Sequence, residues 1–212
     1  ELRCLKLLDE IFNTHPHLSG FNVTIPYKQE ILQYVNELDN TAASIGAVNT
    51  VKISMQNGVR YLKGFNTDVI GFEKSLLPLI DGRTKALVLG TGGASKAVEF
   101  VLLKLNISCQ MVSREQSHKA IAYADLNKAI IEQHQLIINT TPLGSFPSVE
   151  VAPSIPYQFI NSSHLCYDLI YNPSLTSFLK KAKQQGAVIK NGLKMLQLQA
   201  EAAFQIWMDD KL

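Results

Sequence analysis

Lys85-Ala-Leu-Val-Leu-Gly-Thr-Gly-Gly-Ala-Ser-Lys-Ala97 changes character twice over its short length. Ala86 to Leu89 is an uninterrupted apolar run of the kind a buried strand carries. Gly90, Gly92 and Gly93 then form a tight turn. From Ala94 to Lys104 the apolar residues (Ala97, Val98, Val101, Leu102, then Leu105) fall at helical spacing. A strand, a glycine turn and a helix N-terminus in this order make a phosphate-binding device. Glycines let the backbone approach the anion, and the first N–H groups of the helix face it. Ser95 stands where the third glycine of G-x-G-x-x-G would fall, a place that needs only a small residue.

The pattern continues downstream. Ile107 to Val112 reads as a strand ending at Ser113-Arg114. The end of the second strand in such folds meets the adenosine ribose, and a cation there pairs with a 2′-phosphate. Arg114 therefore argues for NADP over NAD. Ser117 to His134 carries weak helical pattern. Gln135 to Asn139 is another buried strand, leading into the loop Thr140-Thr-Pro142-Leu-Gly144. His164 to Ile170 is a strand, Leu175 to Gln185 a helix stopped by Gly186, and Ala187 to Lys190 a short strand. Asn191-Gly192 opens a last helix, Leu193 to about Trp207, in which Gln199 is polar among apolar neighbours. Strands and helices alternating over 84–190 imply a mostly parallel sheet covered by helices.

Upstream, Leu2, Leu5, Leu8, Ile11 and Phe12 make residues 1–13 an amphipathic helix. Residues 18–25 alternate as a strand. Pro26 suits the first turn of a helix from Tyr27 to Val35. Lys28 then lies beside a helix N-terminus, where a cation opposes the dipole. Asn36 to Ile45 reads as a short helix and Gly46 to Ile53 as a strand. Gln56-Asn57-Gly58 marks a hairpin turn, with Val59 to Lys63 returning antiparallel. Asn66 or Thr67 is expected to cap a helix that runs to about Leu79, with Asp68 in its first turn. Pro78 to Arg83 is a turn-rich junction.

The chain has 212 residues, 46% of them hydrophobic, enough for one large or two small domains. A net charge of +2 without basic runs argues against nucleic acid. Cys4, Cys109 and Cys166 are scattered outside any metal-ligand spacing, as in a reducing compartment. The five histidines form no ligand pair. With no apolar run of membrane-spanning length and no secretory signal, the expected location is cytoplasmic.

Seven blocks in order resemble the shikimate dehydrogenase family of the bacterial type. They are Asn22-Val-Thr-Ile-Pro-Tyr-Lys28, Gly46-Ala-Val-Asn-Thr50, Gly64-Phe-Asn-Thr-Asp68 with Gly71, Gly90-Thr-Gly-Gly-Ala94, Asn139-Thr-Thr-Pro-Leu-Gly144, Asp168 with Tyr171, and Gly192-Leu-Lys-Met-Leu-Gln-Leu-Gln-Ala200. The resemblance implies an α/β protein of two domains around a cleft. Residues 1–80, completed by 191–212, would bind shikimate, and a Rossmann-like domain over 81–190 would bind NADP. The implied reaction is reversible oxidation of shikimate to 3-dehydroshikimate by a monomer or homodimer. Lys28 and Asp68 match the family's catalytic pair. Thr24, Asn49, Asp68, Tyr171 and Gln199 match substrate contacts. Gly90, Thr91, Gly92, Gly93, Ala94, Ser113, Arg114, Asn139, Leu169 and Gly192 match cofactor contacts.

There are departures. The family begins with a strand and a loop bearing two serines that hold the substrate carboxylate, and this sequence, starting at Glu1, has no counterpart. Upstream residues are expected to be missing. Ser113 replaces a frequent asparagine and Thr91 a frequent alanine. The alternatives are a quinate-type dehydrogenase of broader range and a non-catalytic NADP-binding fragment.

Overall fold

The computed structural model describes residues 2–24 and 26–209, and the side chains from residue 6 onward within them. Ile25, the side chains of Leu2, Cys4 and Leu5, and residues 210–212 lie outside this description.

The first sheet has four strands: β1 (Gly20–Asn22), β2 (Glu37–Leu38), β3 (Thr50–Gln56) and β4 (Val59–Phe65), in the order β1-β3-β4-β2. The hairpin at Asn57-Gly58 joins β3 and β4 antiparallel, as its turn residues require. β1 also runs antiparallel to β3. Thr50 therefore pairs with Asn22 on one side and Phe65 on the other. Helix α1 (Leu2–Thr14) lies against this sheet through Leu8, which joins a core of Val23, Ile31, Ala42, Val48, Val51 and Leu62.

The second sheet is wholly parallel. Its six strands are β5 (Lys85–Leu89), β6 (Ser108–Ser113), β7 (Ala120–Ala122), β8 (Leu136–Asn139), β9 (Leu165–Asp168) and β10 (Val188–Lys190). The order is β10-β9-β8-β5-β6-β7, so the chain moves outward from β5 on one side and then returns to build the other. Such a reversal opens a crevice beyond the carboxyl ends of the strands flanking it, β5 and β8. Both faces are covered, which is why Ala86–Leu89 of β5, Leu136–Ile138 of β8 and Leu165–Tyr167 of β9 are apolar, with Lys85, Asn139 and Asp168 confined to strand ends. On one face lie α4 (Gly93–Lys104) and α3 (Asp68–Leu76), through Val98, Val101, Phe72 and Leu76. Helix α7 (Leu193–Met208) packs along α3, adds Met195 to this core and returns to the first sheet, where Trp207 Nε1 donates to the Val51 carbonyl at 3.1 Å. On the other lie α5 (Lys128–Gln133) and α6 (Ser177–Gln184), through Ile131, Phe178, Leu179 and Ala182. Helix α3 thus follows the first sheet in sequence yet buries its apolar side on the second.

Three local expectations fail for identifiable reasons. The helix expected over Tyr27–Val35 is a turn followed by a 3-10 segment, Glu30–Gln33. The Lys28 carbonyl accepts from Val48 N–H at 2.8 Å, so it is withdrawn from helical bonding, and Leu32 N–H turns to Gln29 instead. The segment Asn36–Ile45 begins as β2, and only Asn40–Ile45 is helical (α2), capped by the Asp39 carboxylate on Thr41 and Ala42 N–H. Within Ser117–His134 lies the edge strand β7, then a helix of six residues capped by Asn127.

Candidate active site

Lys28 follows β1 and Asp68 follows β4. Both strands end level with Thr50, so their exits are delivered to the same edge of the first sheet. There Lys28 Nζ donates to Asp68 Oδ2 at 2.6 Å, both side chains largely buried. Asp68 opens α3, where the helix dipole favours a carboxylate.

Asn49 secures this pair from behind. Its Nδ2 donates to Asp68 Oδ1 at 3.0 Å and to Thr67 Oγ1 at 2.9 Å. Its Oδ1 accepts from Thr67 N–H at 2.7 Å. Thr67 is the first residue before α3 but does not cap the helix with its hydroxyl, because that oxygen is held by Asn49. The Asn49 main chain also bridges the sheet end, its carbonyl accepting from Val23 N–H and its N–H donating to Phe65. Gln199 Oε1, arriving on α7, lies 3.3 Å from both Asn49 Nδ2 and Thr67 Oγ1. Gly71 is what lets α7 come this near, since a Cβ there would meet the Met195 carbonyl at 2.5 Å.

Opposite stands the glycine turn. A cleft of about 800 Å³ is lined by Gly90, Thr91, Gly92, Gly93 and Ala94, by Ser113 and Arg114, and by Lys28 itself. Gly90 has φ +107°, a conformation side chains resist, and a Cβ there would press on Thr140 and Thr141. A Cβ on Gly92 would meet nothing, so that backbone is open to the cleft. No side chain caps the start of α4; Ser95 Oγ turns back to the Gly92 carbonyl instead. This is a cradle of free backbone N–H groups on a helix N-terminus. A Cβ on Gly93 would lie 3.7 Å from Lys28 Cβ, so the phosphate cradle and the catalytic candidate face each other directly.

Some expected residues stand apart. Thr24 is exposed, and its carbonyl accepts from Tyr27 N–H. Tyr171 is exposed beyond β9 and makes no hydrogen bond to the Lys28–Asp68 group. Leu169 and Gly192 meet through their main chains, a Gly192 Cβ falling 2.0 Å from the Leu169 carbonyl oxygen. Asn139 has no exposure, and its amide is spent on protein partners. Glu115 and Tyr123 line the cleft without having been singled out, and so do two residues of a stretch that the sequence did mark, Pro142 and Leu143. The last two belong to the proline–glycine loop after β8. Tyr123 gave no sequence signal, because β7 and the 3-10 turn after it were not legible. Its hydroxyl is buried without a hydrogen-bond partner among the described residues, and burial pushes it up to about 12. Burial also pushes the Cys109 and Cys166 thiols up to about 11 and 12, which keeps both protonated at neutral pH. Among the described residues no cluster could hold a metal ion, and no helix is long and apolar enough to cross a membrane.

Residues 5–51 match the profile of the shikimate dehydrogenase substrate binding domain. The shikimate dehydrogenase (NADP(+)) of Methanococcus vannielii is 40% identical over 222 residues, covering 94% of this chain and 76% of that protein. The chain belongs to the shikimate dehydrogenase family. Within that family the architecture is shared closely. The shikimate 5-dehydrogenase of Thermus thermophilus, solved with NADP(H) and shikimate, superposes with a TM-score of 0.78 at 31% identity, over 94% of this chain and 77% of that one. The quinate dehydrogenase of Corynebacterium glutamicum, solved with NAD, gives 0.80 at 25% identity, over 96% and 76%. Two solved proteins with different named substrates thus share the one frame.

Proposed function

We propose that this chain is an NADP-dependent oxidoreductase that interconverts shikimate and 3-dehydroshikimate. The observation that carries the reading is the Lys28–Asp68 pair at 2.6 Å, set against the glycine cradle. Residues 1–80 with 191–212 serve the substrate and 81–190 the cofactor. The free, protonated thiols of Cys109 and Cys166 and the absence of a spanning helix among the described residues support a cytoplasmic location.

NADP, when bound, supplies the redox half by taking a hydride from the carbinol carbon or returning it. The chain fits this group: Gly90 to Ala94 would hold the pyrophosphate and Arg114 the 2′-phosphate. The protein must handle the other half, the hydroxyl proton. As the C–H bond breaks, the O–H proton passes to the Lys28–Asp68 couple and a ketone remains. In the reverse direction Lys28 Nζ returns that proton to the carbonyl oxygen. Asp68 keeps Nζ aimed, and Asn49 keeps Asp68 aimed. Asn49, Thr67 and Gln199 form a neutral group beside the couple suited to a polyhydroxylated ring.

The test is NADPH formation from shikimate with the wild-type chain and with Lys28→Ala. Loss of the proton acceptor should cut turnover by about 10²–10⁴-fold. NADP+ affinity should stay within about twofold, because the main-chain cradle is untouched. Turnover of Lys28→Ala close to wild type refutes the assignment. Quinate is the competing substrate, and a larger kcat/KM with quinate would place the chain with the quinate enzymes.

A further inference from the structure

Asp168 is the last residue of β9 and has no exposure, yet it touches neither the cleft nor the Lys28–Asp68 pair. Its Oδ2 accepts from Thr176 Oγ1 at 2.6 Å. Its Oδ1 accepts from Ile170 N–H at 3.0 Å and from Asn139 Nδ2 at 3.1 Å. Asn139 ends the neighbouring strand β8, paired with Asp168 in register. Its other amide atom, Oδ1, accepts from Thr141 N–H at 3.0 Å and Thr141 Oγ1 at 2.6 Å. A backbone N–H can only donate, so Asn139 Oδ1 must face Thr141 and Nδ2 must face Asp168. The amide is thereby clamped from both sides, its Oδ1 on Thr141 and its Nδ2 on the Asp168 carboxylate. The amide in turn holds the loop whose residues Thr140 to Leu143 form one wall of the cleft, against Gly90.

We propose that Asp168 is a positioning residue for the cofactor: through the Asn139 amide it fixes the loop after β8 in the shape that closes the nucleotide cleft opposite the glycine turn. Asp168 acts without touching the cofactor. Its bond to Thr176 carries a second load, since Thr176 Oγ1 also caps α6 by accepting from Leu179 N–H. The inference rests on the cofactor reading given above.

NADP+ binding to the substrate-free protein, measured by titration calorimetry, separates these roles. Asp168→Ala frees the Asn139 amide and should raise Kd for NADP+ at least about tenfold, the loss of one well-placed hydrogen bond. Asp168→Asn keeps an acceptor at Oδ1 for Asn139 and Ile170 while its Nδ2 meets Thr176. It should lose thermal stability, because the Thr176 proton is stranded, but bind NADP+ within about threefold of wild type. In turnover assays Asp168→Ala should raise KM for NADP+ and leave KM for shikimate little changed. Should Asp168→Ala fail to fold, Asn139→Ser cuts the same relay and leaves Asp168 bonded to Thr176 and Ile170. It must then weaken NADP+ binding by a similar factor. Wild-type affinity in Asp168→Ala or in Asn139→Ser overturns the inference, as does equal loss in Asp168→Ala and Asp168→Asn. A wild-type chain that does not bind NADP+ overturns the cofactor reading itself.

Discussion

The buried hydrogen bond between Ser75 and Tyr167 gives a test of how the two sheets are fastened together. Ser75 is on α3, seven residues after Asp68, and Tyr167 is on β9 of the second sheet, between β10 and β8. Their oxygens are 2.7 Å apart, and Ser75 Oγ also donates to the Phe72 carbonyl at 3.0 Å. A serine has one hydroxyl proton. With that proton on the Phe72 carbonyl, the phenol must be the donor to Ser75. Burial pushes the phenol up to about 12, so it holds this proton at any working pH. The two deletions are then unequal. Ser75→Ala strands a buried phenol donor and should cost about 1–3 kcal/mol. Tyr167→Phe leaves Ser75 its donor bond and keeps the edge-to-face contact with Phe72, so it should cost about 0.5–1.5 kcal/mol. The double variant should resemble Tyr167→Phe alone: removing the stranded phenol hydroxyl restores stability to Ser75→Ala. Urea unfolding of the four proteins measures the cycle, and in a chain of this size each kcal/mol moves Tm by about 2–4 °C. Additive costs, or Tyr167→Phe costing more than Ser75→Ala, would refute the assigned donor and the claim that the bond fixes α3 on the second sheet.

Two further outcomes follow from the same geometry. Gly192→Ala puts a methyl group 2.0 Å from the Leu169 carbonyl oxygen, where only main chain could yield, so it should cost about 3 kcal/mol and raise KM for shikimate by shifting α7 and Gln199. Gly192 has φ −76°, so this cost is steric, and Gly192→Ser should suffer as much when both are assayed by thermal melts and kinetics. Burial pushes the Asp168 carboxyl up from 3.8 to about 6, against three hydrogen bonds that pull it down. Between those values the folded chain holds a proton that the unfolded chain has released, so this contribution to stability is complete below about pH 4. It is lost as pH rises through 6 and amounts to about 3 kcal/mol. Burial keeps the neighbouring Tyr157 and Cys166 neutral throughout. The stability of wild type minus that of Asp168→Asn, from urea melts, should therefore fall between pH 4 and 6 and level off above about 7; a flat difference refutes it.

Much of this protein is written in local pattern. The apolar run at Ala86–Leu89, the glycines after it and the helical spacing beyond fix a strand, a cradle and a helix in consecutive residues, and each needs only near neighbours to form. The hairpin at Asn57-Gly58 and the alternation of strands and helices after residue 84 are legible for the same reason. What local pattern misjudged was decided by distant partners. Tyr27–Val35 lost its helix to the Val48 N–H, and Glu37–Leu38 became a strand because β4 offered an edge.

The site divides along the same line. Arg114 and the glycines declare themselves by position after a strand, whereas Lys28 and Asp68 are separated by 40 residues and each has an ordinary local reading, a surface lysine and a helix-opening aspartate. Family resemblance named them, but only the first sheet shows why they act together: β1 and β4 both end beside Thr50 and bring the two charges to 2.6 Å. Tyr123 and the buried role of Asn139 lay beyond the sequence for the same cause, since burial and hydrogen-bond partners belong to the packed molecule. The sequence by itself determined the strand–turn–helix that takes a nucleotide, because those signals are local. Tertiary structure alone decided which lysine meets which aspartate and which face of the cleft they occupy, because that depends on strand order and on helix α3 leaving one sheet to pack on the other.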